Sequence, residues 1–155
     1  MRTKLTNKKY PEGTTGIIGR YYENEFPVII KLLNKLPKRK WIDTLPYLTV
    51  ISWRYDGSQN NGLPIKEINT RMLVLEEALH DMMSNTTIFI HAYSRTGNSL
   101  KEFVYYSSSQ EEFMDIINTV LKGHDRYPIE IKFYEDSKWK DLKRELSYIN
   151  YKSIS

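Results

Sequence analysis

Two carboxylates stand where helix stability alone would not place them. Between residues 65 and 82, Ile65, Ile68, Met72, Leu75, Leu79 and Met82 recur at steps of three and four, the single apolar stripe of an amphipathic helix. Glu77 and Asp81 fall off that stripe, four residues apart. Like charges at that spacing destabilise a helix by about 0.2–0.5 kcal/mol, and acids near a helix C-terminus oppose the macrodipole. A second helical stretch opens with the capping box Ser109-Gln-Glu-Glu112 and places Phe113, Ile116, Ile117, Val120 and Leu121 inward. Its acids, Glu111, Glu112 and Asp115, sit at the N-terminal end, where negative charge is favoured. If the two helices lie side by side, Glu77, Asp81, Glu111 and Asp115 share one solvent face. That is a negative surface for a basic partner, such as the RNA-binding cleft of a ribonuclease. Electrostatic matching of this kind speeds encounter and fixes register. The plain alternative is a solvated helix face, since exposed charge is the rule. Arg54 and Tyr106 are weaker candidates for the same contact, as residue types that anchor interfaces.

The opposite chemistry is offered by Lys35, Lys38, Arg39, Lys40 and Trp41. A basic cluster beside an aromatic can hold a phosphate backbone and stack a base. Strand aromatics Tyr47, Trp53, Tyr55, Tyr105 and Tyr106 invite comparison with an RNA-recognition sheet, but residues 101–106 lack the Gly-Phe-Gly-Phe pattern of that module. Core packing is the simpler role for Trp53 and Phe103. His80, His91 and His124 form no HxH or HExxH pattern and no carboxylate-spaced pairing is read beside them, so no metal site is expected. His124 after Gly123 suits a helix C-terminus. Ser107–Ser109 lacks the strained G-x-S-x-G elbow. The run Gly13–Gly19 lacks the Lys-Ser/Thr ending of a phosphate loop. With no cysteine, thiolate chemistry and Cys-ligated metals are excluded. A non-enzymatic binding protein without cofactor or small-molecule substrate is expected.

The chain of 155 residues has the length of one domain. Its composition, 40% hydrophobic and 27% charged, excludes a disordered chain. No apolar run approaches the roughly 20 residues of a membrane span, and no apolar segment follows the basic N-terminus as in a secretory leader. The cytoplasm is the expected compartment, with no membrane partner. Net charge is +4 but unevenly distributed. Residues 1–55 carry eleven Lys/Arg against four acids, whereas the remainder carries three more acids than bases.

Residues 1–13 read as a flexible lead-in to a single domain over 14–155. β-rich runs at 17–22 and 27–33 form a hairpin, and 34–46 is a basic connection. Residues 47–55 alternate as a strand, with Tyr47, Thr49, Ile51, Trp53 and Tyr55 on one face and Leu48 and Val50 on the other. The helix over 65–82 follows, then strands at 86–93 and 100–106 joined across Arg95–Asn98. The capped helix from Ser109 ends at Gly123. A strand at 128–134 and a short helix capped by Asp136, carrying Trp139, Leu142 and Leu146, complete the chain. From Tyr47 the order is strand, helix, strand, strand, helix, strand. This is the split βαβ arrangement, an α+β ferredoxin-like sandwich with both long helices on one face of an antiparallel sheet. An N-terminal hairpin extends the sheet and a C-terminal helix covers an edge or end.

Ile51-Ser-Trp-Arg-Tyr55, Gly62-Leu-Pro64, Leu75-Glu76, Thr96-Gly97, Glu102-Phe-Val-Tyr-Tyr106 and Asp136-Ser-Lys-Trp139 together resemble the family catalogued as "domain of unknown function 695". The likeness spans most of Ile17 to Trp139. It departs from the family's usual look in a longer turn before Glu102 and in Phe103 where a Trp is common. The family has no assigned catalytic residues. Some members are joined to a domain similar to the protein regulator of ribonuclease E, and small stand-alone chains of this kind look like immunity proteins against nuclease toxins delivered between bacteria. The resemblance therefore implies inhibition of a toxin nuclease by direct binding. A small RNA-binding or RNA-metabolism regulator using Lys35–Trp41 is the second reading.

Overall fold

The computed structural model describes residues 10–154 in backbone and 10–149 in side chains. In chain order the elements are β1 (Gly16–Glu23), β2 (Phe26–Leu33), α1 (Arg39–Thr44), β3 (Tyr47–Arg54) and α2 (Lys66–Met83). There follow β4 (Phe89–Gly97), β5 (Leu100–Ser107), α3 (Gln110–Val120), β6 (Ile129–Glu135) and α4 (Lys140–Ile154). The six strands form one sheet in the order β1-β2-β4-β5-β3-β6, with every neighbouring pair antiparallel.

The stretch β3-α2-β4-β5-α3-β6, with its strands ordered β4-β5-β3-β6, is the split βαβ arrangement expected from the sequence, and the β1–β2 hairpin widens it on the β4 side. Both tight hairpins use two-residue turns whose residues have positive φ. These are Asn24 and Glu25 (51° and 70°) between β1 and β2, and Asn98 and Ser99 (52° and 65°) between β4 and β5. That backbone matches the right-handed strand twist. β4 therefore runs on through Arg95 to Gly97, and of the four residues that the sequence assigned to the turn only Asn98 belongs to it, with Ser99 as its second residue.

The faces of the sheet carry separate cores. On one, Ile51, Trp53, Phe89, Phe103 and Tyr105 pack under Met72, Leu75, Leu79 and Met83 of α2 and Phe113 and Ile117 of α3. On the other, Val28, Ile30, Leu48, Ile90, Val104 and Tyr106 pack with Leu45, Trp139, Leu142 and Ile149. α2 and α3 thus share one face, as expected. α4 is a 15-residue helix lying on the opposite face rather than at an edge or end. The cause is visible in β5, where Phe103 through Ser107 are all buried, so both sides of the strand need cover. A bulge between His91 and Tyr93 sends Ala92 and Tyr93 to the same core.

The basic connection contains α1, a single helical turn and a half that no side chain caps. Residues 1–9 of the expected lead-in lie outside the described residues. Its last part is packed: Pro11 is buried, Tyr10 lies against the α4-side core, and Glu12 pairs with Lys38 at 3.2 Å.

Candidate functional site

α2 is held by its inner stripe, so the residues outside that stripe face either water or the flank beside β2. Glu77 and Asp81 take the outward direction and are exposed. On α3, the Ser109 hydroxyl accepts from the Glu112 backbone N–H at 3.0 Å, fixing the helix start, and the Glu112 carboxylate accepts from Ser108 Oγ at 2.5 Å. Phe113 and Ile117 point inward, which turns Glu111 and Asp115 out to solvent. The helices are neighbours on one sheet face, so all four sequence-derived carboxylates belong to one layer. Among the described residues none of the four is in an ion pair, whereas Glu12, Glu23, Asp43, Glu76, Glu130 and Asp141 are. α2 and α3 together hold seven acids and two bases. One of those bases, Arg71, lies over the Trp53 and Tyr127 rings at 5.4 and 5.6 Å.

Arg54 is exposed at the end of β3. Tyr106, the other weaker contact candidate, presents no surface. It is fully buried, its ring stacks on Trp139 at 3.9 Å and 6°, and its hydroxyl donates to Asp136 Oδ2 at 2.7 Å. β5 is covered on both faces, so the alternation that separates an inner from an outer tyrosine does not apply to it.

The basic segment is partly neutralised. Lys38 is paired with Glu12 and Arg39 with Asp43 at 3.6 Å, while Lys35 is exposed. Trp41 packs against the α4-side core. Lys40 and Trp41 border a cavity of about 430 Å³ shared with Ile88, Ser108 and Glu112.

A polar cluster that sequence reasoning missed lies on the flank of α2. Glu76 and Lys101 are both buried, with Oε1 and Nζ 3.6 Å apart, an ion pair rather than a hydrogen bond. Burial holds the Lys101 ammonium below its usual pKa, and the Glu76 charge pulls it back up. His80 stands one turn beyond Glu76 on the helix. His91 projects from β4, its ring 4.8 Å from that of His80 and 5.3 Å from Tyr105. The Tyr105 hydroxyl is buried without a hydrogen-bond partner among the described residues, and burial, reinforced by Glu76, raises its pKa well above the ordinary phenol value. The only sign of this cluster in the sequence is Glu76 and His80 four apart, a carboxylate-spaced pair on one helix face. His91 and Lys101 join it only through the sheet register. A cavity of about 250 Å³ between α2 and the β1–β2 hairpin reaches Glu76, His80 and His91.

Several of the residues that carry the family likeness have structural roles. Trp53 and Leu75 are core residues. Gly62 has φ +87°, and a Cβ there would lie 3.0 Å from the Asn98 nitrogen. Asp136 accepts from the backbone N–H groups of Lys140 and Asp141, both at 2.9 Å, capping α4. The Trp139 indole N–H donates to the Leu45 carbonyl at 2.9 Å.

No curated protein and no solved structure matches the chain. A family described as being of unknown function (DUF695) matches residues 21–144, which takes in the end of β1, all of β2 to β6 and every structural position just named; the chain belongs to that family.

Proposed function

We propose that this chain is a non-enzymatic binding protein that neutralises a bacterial toxin nuclease by direct blockade, acting in the cytoplasm of the cell that carries it. The observation supporting this reading is the α2–α3 layer, on which Glu77, Asp81, Glu111 and Asp115 are exposed and not in ion pairs among the described residues. A nuclease cleft is lined with cations that hold phosphates. Carboxylates on a rigid helical layer take the place of those phosphates, and their positions are fixed by the core beneath them. The overall charge of +4 does not forbid this. At physiological salt the Debye length is about 8 Å, so a docking partner responds to the layer it faces rather than to the sum over the molecule.

The RNA-binding alternative draws on Lys35–Trp41. It is the weaker reading because Lys38 and Arg39 are already in ion pairs and Trp41 is committed in part to the core. Retention on heparin that falls steeply with salt would favour it.

The direct test mixes the purified chain with the toxin nuclease domain proposed as its partner and follows substrate cleavage. The reading expects cleavage to stop at one equivalent of chain. Full cleavage in the presence of excess chain contradicts it.

A further inference from the structure

The α2 flank gathers three groups that are metal ligands by chemical type. The available ligand atoms of Glu76, His80 and His91 all lie within 4.8 Å of one another. Glu76 and His80 are four residues apart on α2, so their side chains rise from adjacent turns of one face. His91 faces them from β4, held in register by its pairing with Tyr105 of β5. One ligand source is therefore a helix packed by Met72, Leu75 and Leu79, and the other is an inner strand of a six-stranded sheet. Both are rigid elements, the kind that fix a coordination site.

We propose that Glu76, His80 and His91 form a binding site for a divalent first-row transition ion of the zinc class, with a coordination position open toward the cavity beside the β1–β2 hairpin.

Two imidazoles and a carboxylate suit Zn²⁺ and its neighbours, not the hard oxygen-seeking cations. Ligand atoms about 2.0–2.2 Å from a tetrahedral zinc stand roughly 3.4 Å apart, so closing the observed triangle takes side-chain rotations of little more than an ångström. A carboxylate has two oxygens, and Lys101 faces Oε1. The ammonium can thus orient the carboxylate through one oxygen while the other meets the ion, as outer-shell groups do in metal sites. The Tyr105 hydroxyl, buried and without a hydrogen-bond partner among the described residues, is a donor adjoining the cluster through its ring contacts with both histidines. The cavity of about 250 Å³ gives an ion a way in and leaves room for a water as fourth ligand, the arrangement of three protein ligands with one open position.

The test is calorimetric titration of the untagged, chelator-treated full chain with ZnCl₂ alone, and with CoCl₂ alone to read the ligand field by visible absorption. The expected result is one ion per chain, with a Co²⁺ spectrum of low-symmetry, four- or five-coordinate type. His80→Gln and His91→Gln should weaken binding by more than the roughly 10–100-fold typical of outer-shell changes, and His124→Gln, in the loop after α3, should leave it unchanged. His91 is buried and its replacement can disturb the fold. His80 is only partly buried, so His80→Gln, checked for native circular dichroism, decides by itself. Binding of Zn²⁺ that His80→Gln leaves intact, or no stoichiometric binding by the folded wild type, overturns the site.

Discussion

The two helical layers that sandwich the sheet are built from the same residue types and use them differently. On the α4 side, buried polar groups are closed upon one another. Tyr106 donates to Asp136, Tyr93 donates to Asp141 at 2.6 Å, and Trp139 donates to a backbone carbonyl. On the α2–α3 side, Glu76 faces Lys101 at ion-pair distance without a hydrogen bond between them, and Tyr105 has no hydrogen-bond partner among the described residues. A satisfied network specifies and rigidifies a core, whereas under-satisfied buried groups cost stability and are retained where something else uses them. The outer surfaces differ as well. α2 and α3 present mainly acids, while α1 and the first turns of α4 present Arg39, Lys40, Lys140, Lys143 and Arg144 against Asp43, Asp141 and Glu145. On the reading proposed above, one layer serves as structural support and the other holds the groups offered for binding.

The most severe break in this contrast is at the desolvated pair. Lys101→Met leaves the buried Glu76 charge without its cation, a change that costs about 3–5 kcal/mol. Adding Glu76→Gln should restore most of that loss, because no uncompensated charge remains. Urea unfolding of the two single variants and the double variant measures the coupling. Additive losses would mean that the two groups do not act as a pair.

A smaller effect is expected on the opposite layer. Asp136→Ala removes the α4 cap and the acceptor for Tyr106, costing about 2 kcal/mol. Burial pushes the Asp136 carboxyl up, but hydrogen bonds from Tyr106 and the Asp141 and Lys140 N–H groups, together with Arg144, outweigh it and hold the group below its usual pKa. A carboxyl lowered in the folded state contributes stability that is complete above its unfolded value of 3.8 and is lost as pH falls through the folded one. The wild type should therefore lose its advantage over Asp136→Ala in acid, seen as converging thermal midpoints. A gap independent of pH would remove the carboxylate from the account.

How much of this the sequence disclosed follows from what is local. The middle of the α2 stripe, the Ser109 capping box and the alternation of β3 are short-range patterns, and the structure has them where the sequence put them, whereas at the stripe's ends Ile65 is an exposed N-cap outside the helix and Met83 rather than Met82 is buried. The Asp136 cap and Trp139 were legible for the same reason. The side of the sheet that α4 covers was not, since a helix of either amphipathic phase can lie on either face and only the long-range register decides. α1 escaped notice because six residues show too little periodicity and Lys38 supplies no cap. Tyr106 was misplaced because β5 is buried on both sides, which erases period two. The Glu76–His80–His91 cluster left only its helical half in the sequence, its other half depending on how β4 meets α2.

The least effect on stability is expected at the acidic layer. Glu77→Lys with Asp81→Lys should change folding stability by no more than about 0.5 kcal/mol, as for surface residues outside any network. The same variant tests the central claim most directly, through its association rate with the nuclease proposed as partner, measured by stopped flow from low to physiological salt. The account predicts a markedly slower association than the wild type at low salt, the two rates drawing together as salt rises; equal rates at every salt concentration would contradict it.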